Sequence, residues 1–257
     1  MKIKTLLNLA LVLTLAAIAG GCNKDSASPG GGEGTGGSEA RFVIVGNTLY
    51  TVSKTDLQVF DLSQPDKPEM VGKVPLGFGI ETLFSYDRKL FIGAMSGMKI
   101  YDAQNPTKPV FLGEYAHARP SPELTTRRND PVVVQNNFAY VTLRSCPTCQ
   151  QGNQLDIVDI TDVRRPRVVN IIPMRSPYGL GIDGSQLFVC EGDFGLKVFD
   201  LTNPSLPKQT QYFQDVKSFD VIPLRNVLML SGKDGFWQYD YSDRTKLALL
   251  SKIPIEP

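Results

Sequence analysis

The chain has 257 residues, with 27 Lys and Arg against 26 Asp and Glu, a formal net charge of +1. That balance gives no electrostatic footprint for nucleic acid, which calls for a basic face. Residues Arg41 to Pro257 are enough to bury one well-packed core, and nothing after Ala19 is apolar enough to cross a bilayer.

Residues 1–21 read as a targeting segment. Lys2 and Lys4 precede an apolar run from Leu6 to Ala19, too short and wrongly flanked for a membrane span. The run closes on Ala19-Gly20-Gly21-Cys22, which resembles the lipobox of bacterial lipoproteins. The resemblance implies that Cys22 is lipidated and becomes the mature N-terminus, anchored by acyl methylenes worth roughly 0.8 kcal/mol each. Residues 22–40, rich in Gly and Ser, have the composition of a flexible tether that would hold the next domain roughly 20–25 Å from the lipid. Asn23-Lys24-Asp25 has a likeness to the short charged signals that send some lipoproteins to the cell surface. The expected address is the cell envelope, as an outer-membrane lipoprotein on the periplasmic side or at the surface.

From residue 41 onward one unit repeats five times. An apolar strand ends in Asp at Leu57–Asp61, Met98–Asp102, Leu155–Asp159, Leu196–Asp200 and Phe236–Asp240, with Asp-to-Asp spacings of 41, 57, 41 and 40. Pro68, Pro109, Pro166 and Pro207 each follow their Asp by seven residues, and Leu247 takes that place in the fifth copy. Each unit resolves into four short apolar stretches, in the first Phe42–Val45, Leu49–Val52, Leu57–Phe60 and Glu69–Val74. Gly46-Asn47, Asn136-Asn137 and Asp183-Gly184 supply turns between the first two strands of their units. No segment has sustained helical periodicity, and the third stretch alternates, so one of its faces packs on a neighbouring sheet. A period near forty with four strands per unit predicts an all-β fold over residues 41–257, a five-bladed β-propeller with four antiparallel strands per blade.

The unit resembles the LVIVD repeat, best in Leu155-Asp156-Ile157-Val158-Asp159 with Ile160-Thr161 and Pro166, and again in Asp200-Leu201-Thr202-Asn203-Pro204-Ser205-Leu206-Pro207. The resemblance covers almost all of residues 41–257 and implies a propeller. It carries no assigned catalytic residue, so no catalytic role is transferred. The repeated Asp reads as a cap on the following turn, bonding backbone N–H groups. The repeated Pro stiffens that turn and blunts an outer strand.

Departures from the repeat point to function. Aligning Tyr50, Phe91, Tyr140, Phe188 and Leu228 gives spacings of 41, 49, 48 and 40, so two insertions lie within Ala116–Asp130 and Arg144–Asn153. In a meander, loops two–three and four–one share a face, which puts both insertions side by side on one face of the disc. Long loops on a rigid scaffold are where binding concentrates. The candidate ligand-binding face comprises Phe78, His117, Arg119, Arg127, Arg128, Arg144, Arg175, Tyr178 and Phe194, rings for stacking and Arg for carboxylates.

Cys146-Pro147-Thr148-Cys149 lies in the second insertion. A redox CxxC normally opens a helix, and this one sits between strands, so a disulfide stapling an exported loop is the first reading. Free thiols, or a zinc site completed by His117 and Cys190, stay as alternatives. Cys190 itself reads as a small buried hydrophobe. His117 is the one His, and no nucleophile elbow, phosphate loop or paired His motif occurs. The expected function is a non-catalytic binding or adhesion module for a protein, peptide or glycan, with no cofactor, no metal and no nucleic acid. The alternative is a surface hydrolase or lyase acting on glycans or peptides, with Glu123, Arg127, Arg128 and Asp130 of the first insertion as candidates.

Overall fold

Among the described residues, twenty strands in chain order make five four-stranded antiparallel sheets, each strand bonded within its sheet to its neighbour in sequence. The structure, a computed structural model, describes residues 37–117, 131–144 and 152–255. Blade 1 comprises β1 (Phe42–Val45), β2 (Thr48–Val52), β3 (Asp56–Asp61) and β4 (Glu69–Pro75). Blade 2 has β5 (Ile80–Tyr86), β6 (Lys89–Ala94), β7 (Gly97–Asp102) and β8 (Val110–Ala116). Blade 3 has β9 (Val132–Gln135), β10 (Phe138–Leu143), β11 (Gln154–Asp159) and β12 (Arg167–Pro173). Blade 4 has β13 (Leu180–Asp183), β14 (Gln186–Cys190), β15 (Leu196–Asp200) and β16 (Lys208–Phe213). Blade 5 has β17 (Asp220–Leu224), β18 (Val227–Gly232), β19 (Gly235–Asp240) and β20 (Ala248–Pro254). The predicted five-bladed β-propeller is the observed fold.

Each repeated feature has a local physical task. The strand-ending Asp accepts the backbone N–H two residues on in all five blades: Asp61 from Ser63 at 2.8 Å, Asp102 from Gln104 at 2.7 Å, Asp159 from Thr161 at 2.9 Å, Asp200 from Thr202 at 3.0 Å and Asp240 from Ser242 at 2.7 Å. These are Asx turns, as expected, and they lie on the face opposite the loops that join second to third strands and one blade to the next. Each repeated Pro stands one residue before an outer strand, where a missing N–H breaks no ladder. The third and fourth strands of every blade slip register once, a β-bulge that twists the outer edge and that the apolar pattern did not announce.

The cores lie between blades. Each inner blade has a forward face that meets the next blade and a rear face that meets the preceding one. Four apolar clusters fill the junctions 1/2, 2/3, 3/4 and 4/5. Tyr50 and Tyr140, buried on forward faces, reach across to donate to the carbonyls of Pro106 (2.9 Å) and Pro204 (3.1 Å) in the neighbouring blade. Burial pushes both phenols up to about 12. Register shows that Met229, not Leu228, is the blade 5 counterpart of Tyr50: Tyr50 pairs with Val59 and Met229 with Gln238, whereas Leu228 pairs with Tyr239.

The strap Gly37–Ala40 crosses the inner strands. Ser38 Oγ accepts from the Leu180 amide at 2.7 Å and donates to Asp220 Oδ1 at 3.2 Å, and the Ala40 carbonyl accepts from the Leu83 amide at 2.8 Å. Blades 2, 4 and 5 are thereby tied through four residues.

Candidate functional site

Loops β2–β3, β4–β5 and their counterparts share one face, the face to which the repeat pattern assigns both insertions. Between blades 1 and 2 this face carries a cleft of about 350 Å³, lined by Arg41, Lys54, Phe78, Glu81 and Met95 among others. Phe78 stands at its edge, 82% exposed. Gly77 and Gly79 flank it with φ of +90° and +81°, a conformation that L side chains avoid, so the glycines fold the loop back on both sides of the ring. Arg41 is held in place by donating to the Ile80 carbonyl at 3.2 Å.

On blades 3 and 4 the residues expected to form one binding surface come together in pairs. The Arg144 guanidinium lies 3.5 Å from the centre of the Tyr178 ring, and Arg175 lies 3.9 Å from that of Phe194. Such cation–π stacks fix both partners. Arg144 is buried, whereas Arg175 is exposed and Tyr178 and Phe194 are half-buried. Beneath them sits Glu191, a fully buried carboxylate, which accepts the Arg175 amide at 2.6 Å and pairs with Lys197 at 2.9 Å. Asn153 donates to the Arg175 carbonyl at 2.7 Å and ties the end of the second insertion to this group.

His117, at the root of the first insertion, is buried and turned toward blade 3. Its Nδ1 is 2.8 Å from Asp156 Oδ2, which also accepts from the Tyr115 hydroxyl at 2.8 Å, while Gln154 donates to Oδ1 at 2.7 Å. Asp156 is fully buried on a rear face, at a place taken by Gln58, Lys99, Lys197 and Trp237 in the other blades. That substitution within the repeat was the available signal. The partner residues could not be read from it, because Tyr115 and His117 come from the preceding blade. Asp156 is an acid–base-capable group bonded to an imidazole, and its geometry equally locks blade 2 to blade 3.

Arg119, Arg127, Arg128, Glu123, Asp130, Cys146 and Cys149 lie outside the described residues, as does Cys22. Cys190 is a buried free thiol, accepting from Ser218 Oγ at 3.1 Å, and burial pushes its pKa well up. Among the described residues, no His, Cys, Asp and Glu group is arranged to hold a metal ion. No helix there is long and apolar enough to cross a membrane.

No curated protein matches the chain. Solved structures do, through the fold. A functionally unknown protein from Desulfotomaculum acetoxidans superposes with a TM-score of 0.62 at 10% identity, over 85% of this chain and 68% of that one. The periplasmic gluconolactonase PpgL of Pseudomonas aeruginosa gives 0.59 at 13% identity, over 82% and 68%. BamB from Moraxella catarrhalis gives 0.57 at 14% identity, over 84% and 63%. At these identities the likeness is one of fold. The sequence profile of the LVIVD repeat matches residues 127–171, which span β9 to most of β12. The chain is therefore a five-bladed β-propeller that carries an LVIVD repeat in its third blade.

Proposed function

We propose that the protein is a non-catalytic recognition module, tethered to the cell envelope through a lipid on Cys22, that binds a protein, peptide or glycan on its insertion face. The observation that carries this reading is Phe78, 82% exposed beside a cleft with Arg41 and Lys54 on its wall. A large apolar ring held out of the core has a cost in water that partner contact removes, and aromatic and Arg side chains dominate binding hot spots. Arg175 on Phe194 continues the same chemistry toward the second insertion.

The test compares envelope-extract captures by the wild-type chain, by Phe78→Ala and by a variant with both insertions shortened. Phe78→Ala should leave the melting temperature unchanged, because an exposed side chain supports little of the fold, and should weaken capture at least tenfold. Undiminished capture by both variants would sink the reading. Lipidation is tested separately by metabolic labelling with a clickable fatty acid, which Cys22→Ser should abolish.

A second reading, a surface hydrolase or lyase, rests on the buried His117–Asp156 pair at the root of the first insertion. One solved propeller of this fold is a gluconolactonase. Under that reading, glycan or peptide turnover by the wild type is lost in Asp156→Asn without loss of folding.

A further inference from the structure

The repeat makes the two ends of the propeller comparable, position by position, with its interior. Forward-face residues Tyr50, Leu57 and Val59 of blade 1 and their counterparts in blades 2, 3 and 4 are all 2% exposed or less. In blade 5 the same positions hold Met229, Phe236 and Gln238. Met229 is 40% and Phe236 54% exposed, and Ile253 beside them is 66% exposed. These residues line a cavity of about 320 Å³. The rear faces show the converse. Leu83, Val132, Leu180 and Val221, on the first strands of blades 2 to 5, are 2% exposed or less, whereas their blade 1 counterpart, Phe42, is 56% exposed. Among the described residues no apolar cluster joins blade 5 to blade 1. That junction is spanned instead by the strap from Gly37 to Ala40, which touches blade 5 through Ser38 and Asp220.

A stacked array of repeats needs end units with polar outer faces, and neither end here has one throughout. Four times within the chain a forward face accepts a rear face, and the chain carries one further copy of each. We propose that the forward face of blade 5 docks the rear face of blade 1 of a second copy of this chain, continuing the inter-blade interface between molecules. Such an interface is heterologous, since two different patches meet.

The heterologous geometry gives the proposal its test. Phe236→Asp removes one patch and Phe42→Asp the other, and both residues are exposed, so folding should persist, as checked by circular dichroism and melting. Met229→Gln is a milder second variant on blade 5. By sedimentation equilibrium of the full chain, the wild type is expected to associate reversibly into dimers or larger species. Each Asp variant alone is expected to be monomeric. A one-to-one mixture of the two should recover a dimer, because the mixture holds one intact forward face and one intact rear face. A monomeric wild type at all concentrations overturns the proposal and favours contact between the two ends of one chain. Association that survives Phe42→Asp overturns it in favour of a symmetric blade 5 contact, and so does a mixture that stays monomeric.

Discussion

A carboxylate that ends a strand and one that lies beside the strap behave oppositely with pH. Hydrogen bonds from Ser63, Thr161 and Ser242 hold Asp61, Asp159 and Asp240 below their ordinary 3.8. Their contribution is present above that value and lost as pH falls through the folded pKa. Asp220 is the reverse: desolvation raises it to about 6, against the bonds from Val221, Ser38 and Glu39 that oppose the shift. Between about 4 and 6 the folded chain binds a proton that the unfolded chain has released, so this group lowers stability as pH rises through that window. Asp220→Asn should remove the pH dependence that this group contributes between about 4 and 6, read from urea midpoints at pH 4, 5, 6 and 7. Asp159→Ala should cost about 1 kcal/mol by losing the Thr161 bond, and Asp159→Asn, which keeps an acceptor, should cost less. The capping Asp residues were legible in the sequence, because an Asx turn is a contact within two residues. Asp220 was not, since Ser38 lies 182 residues away in the chain.

At the scale of strands and blades, the seams rest on apolar packing supplemented by a few directed polar bonds. Asp156 accepts from Tyr115, His117 and Gln154 at the blade 2/3 seam with no solvent contact. Asp156→Ala removes the acceptor those groups share and is expected to cost about 3 kcal/mol in chemical denaturation. Tyr140→Phe loses only the bond to the Pro204 carbonyl and should cost about 1 kcal/mol. Strand positions were legible from alternation and turn residues, and predicted stretches such as Phe42–Val45 coincide with β1. The bulges were not legible. Val71, Val169 and Leu250, the extra residues on the outer strands, are ordinary apolar side chains that stand exposed. Only pairing with the neighbouring strand makes them extra.

For the whole propeller, the strap is the connection that reaches across several blades. Ser38→Ala leaves the buried Leu180 amide without its acceptor and should lower stability by roughly 1–3 kcal/mol. Amide exchange at Leu180 and Leu83 should rise together if the strap holds both blades as one unit. The amino-acid sequence by itself determined the number of blades, their strands and their turn caps. All of these follow from periodicity and contacts a few residues long. The tertiary structure alone decided that His117 turns inward onto Asp156, that Arg144 and Arg175 stack on Tyr178 and Phe194, and that Phe78 stands free beside a cleft. It also decided which faces of blades 1 and 5 stay uncovered. The physical reason is that burial in a propeller is settled between blades, and each repeat writes much the same apolar pattern whether or not a neighbour covers it.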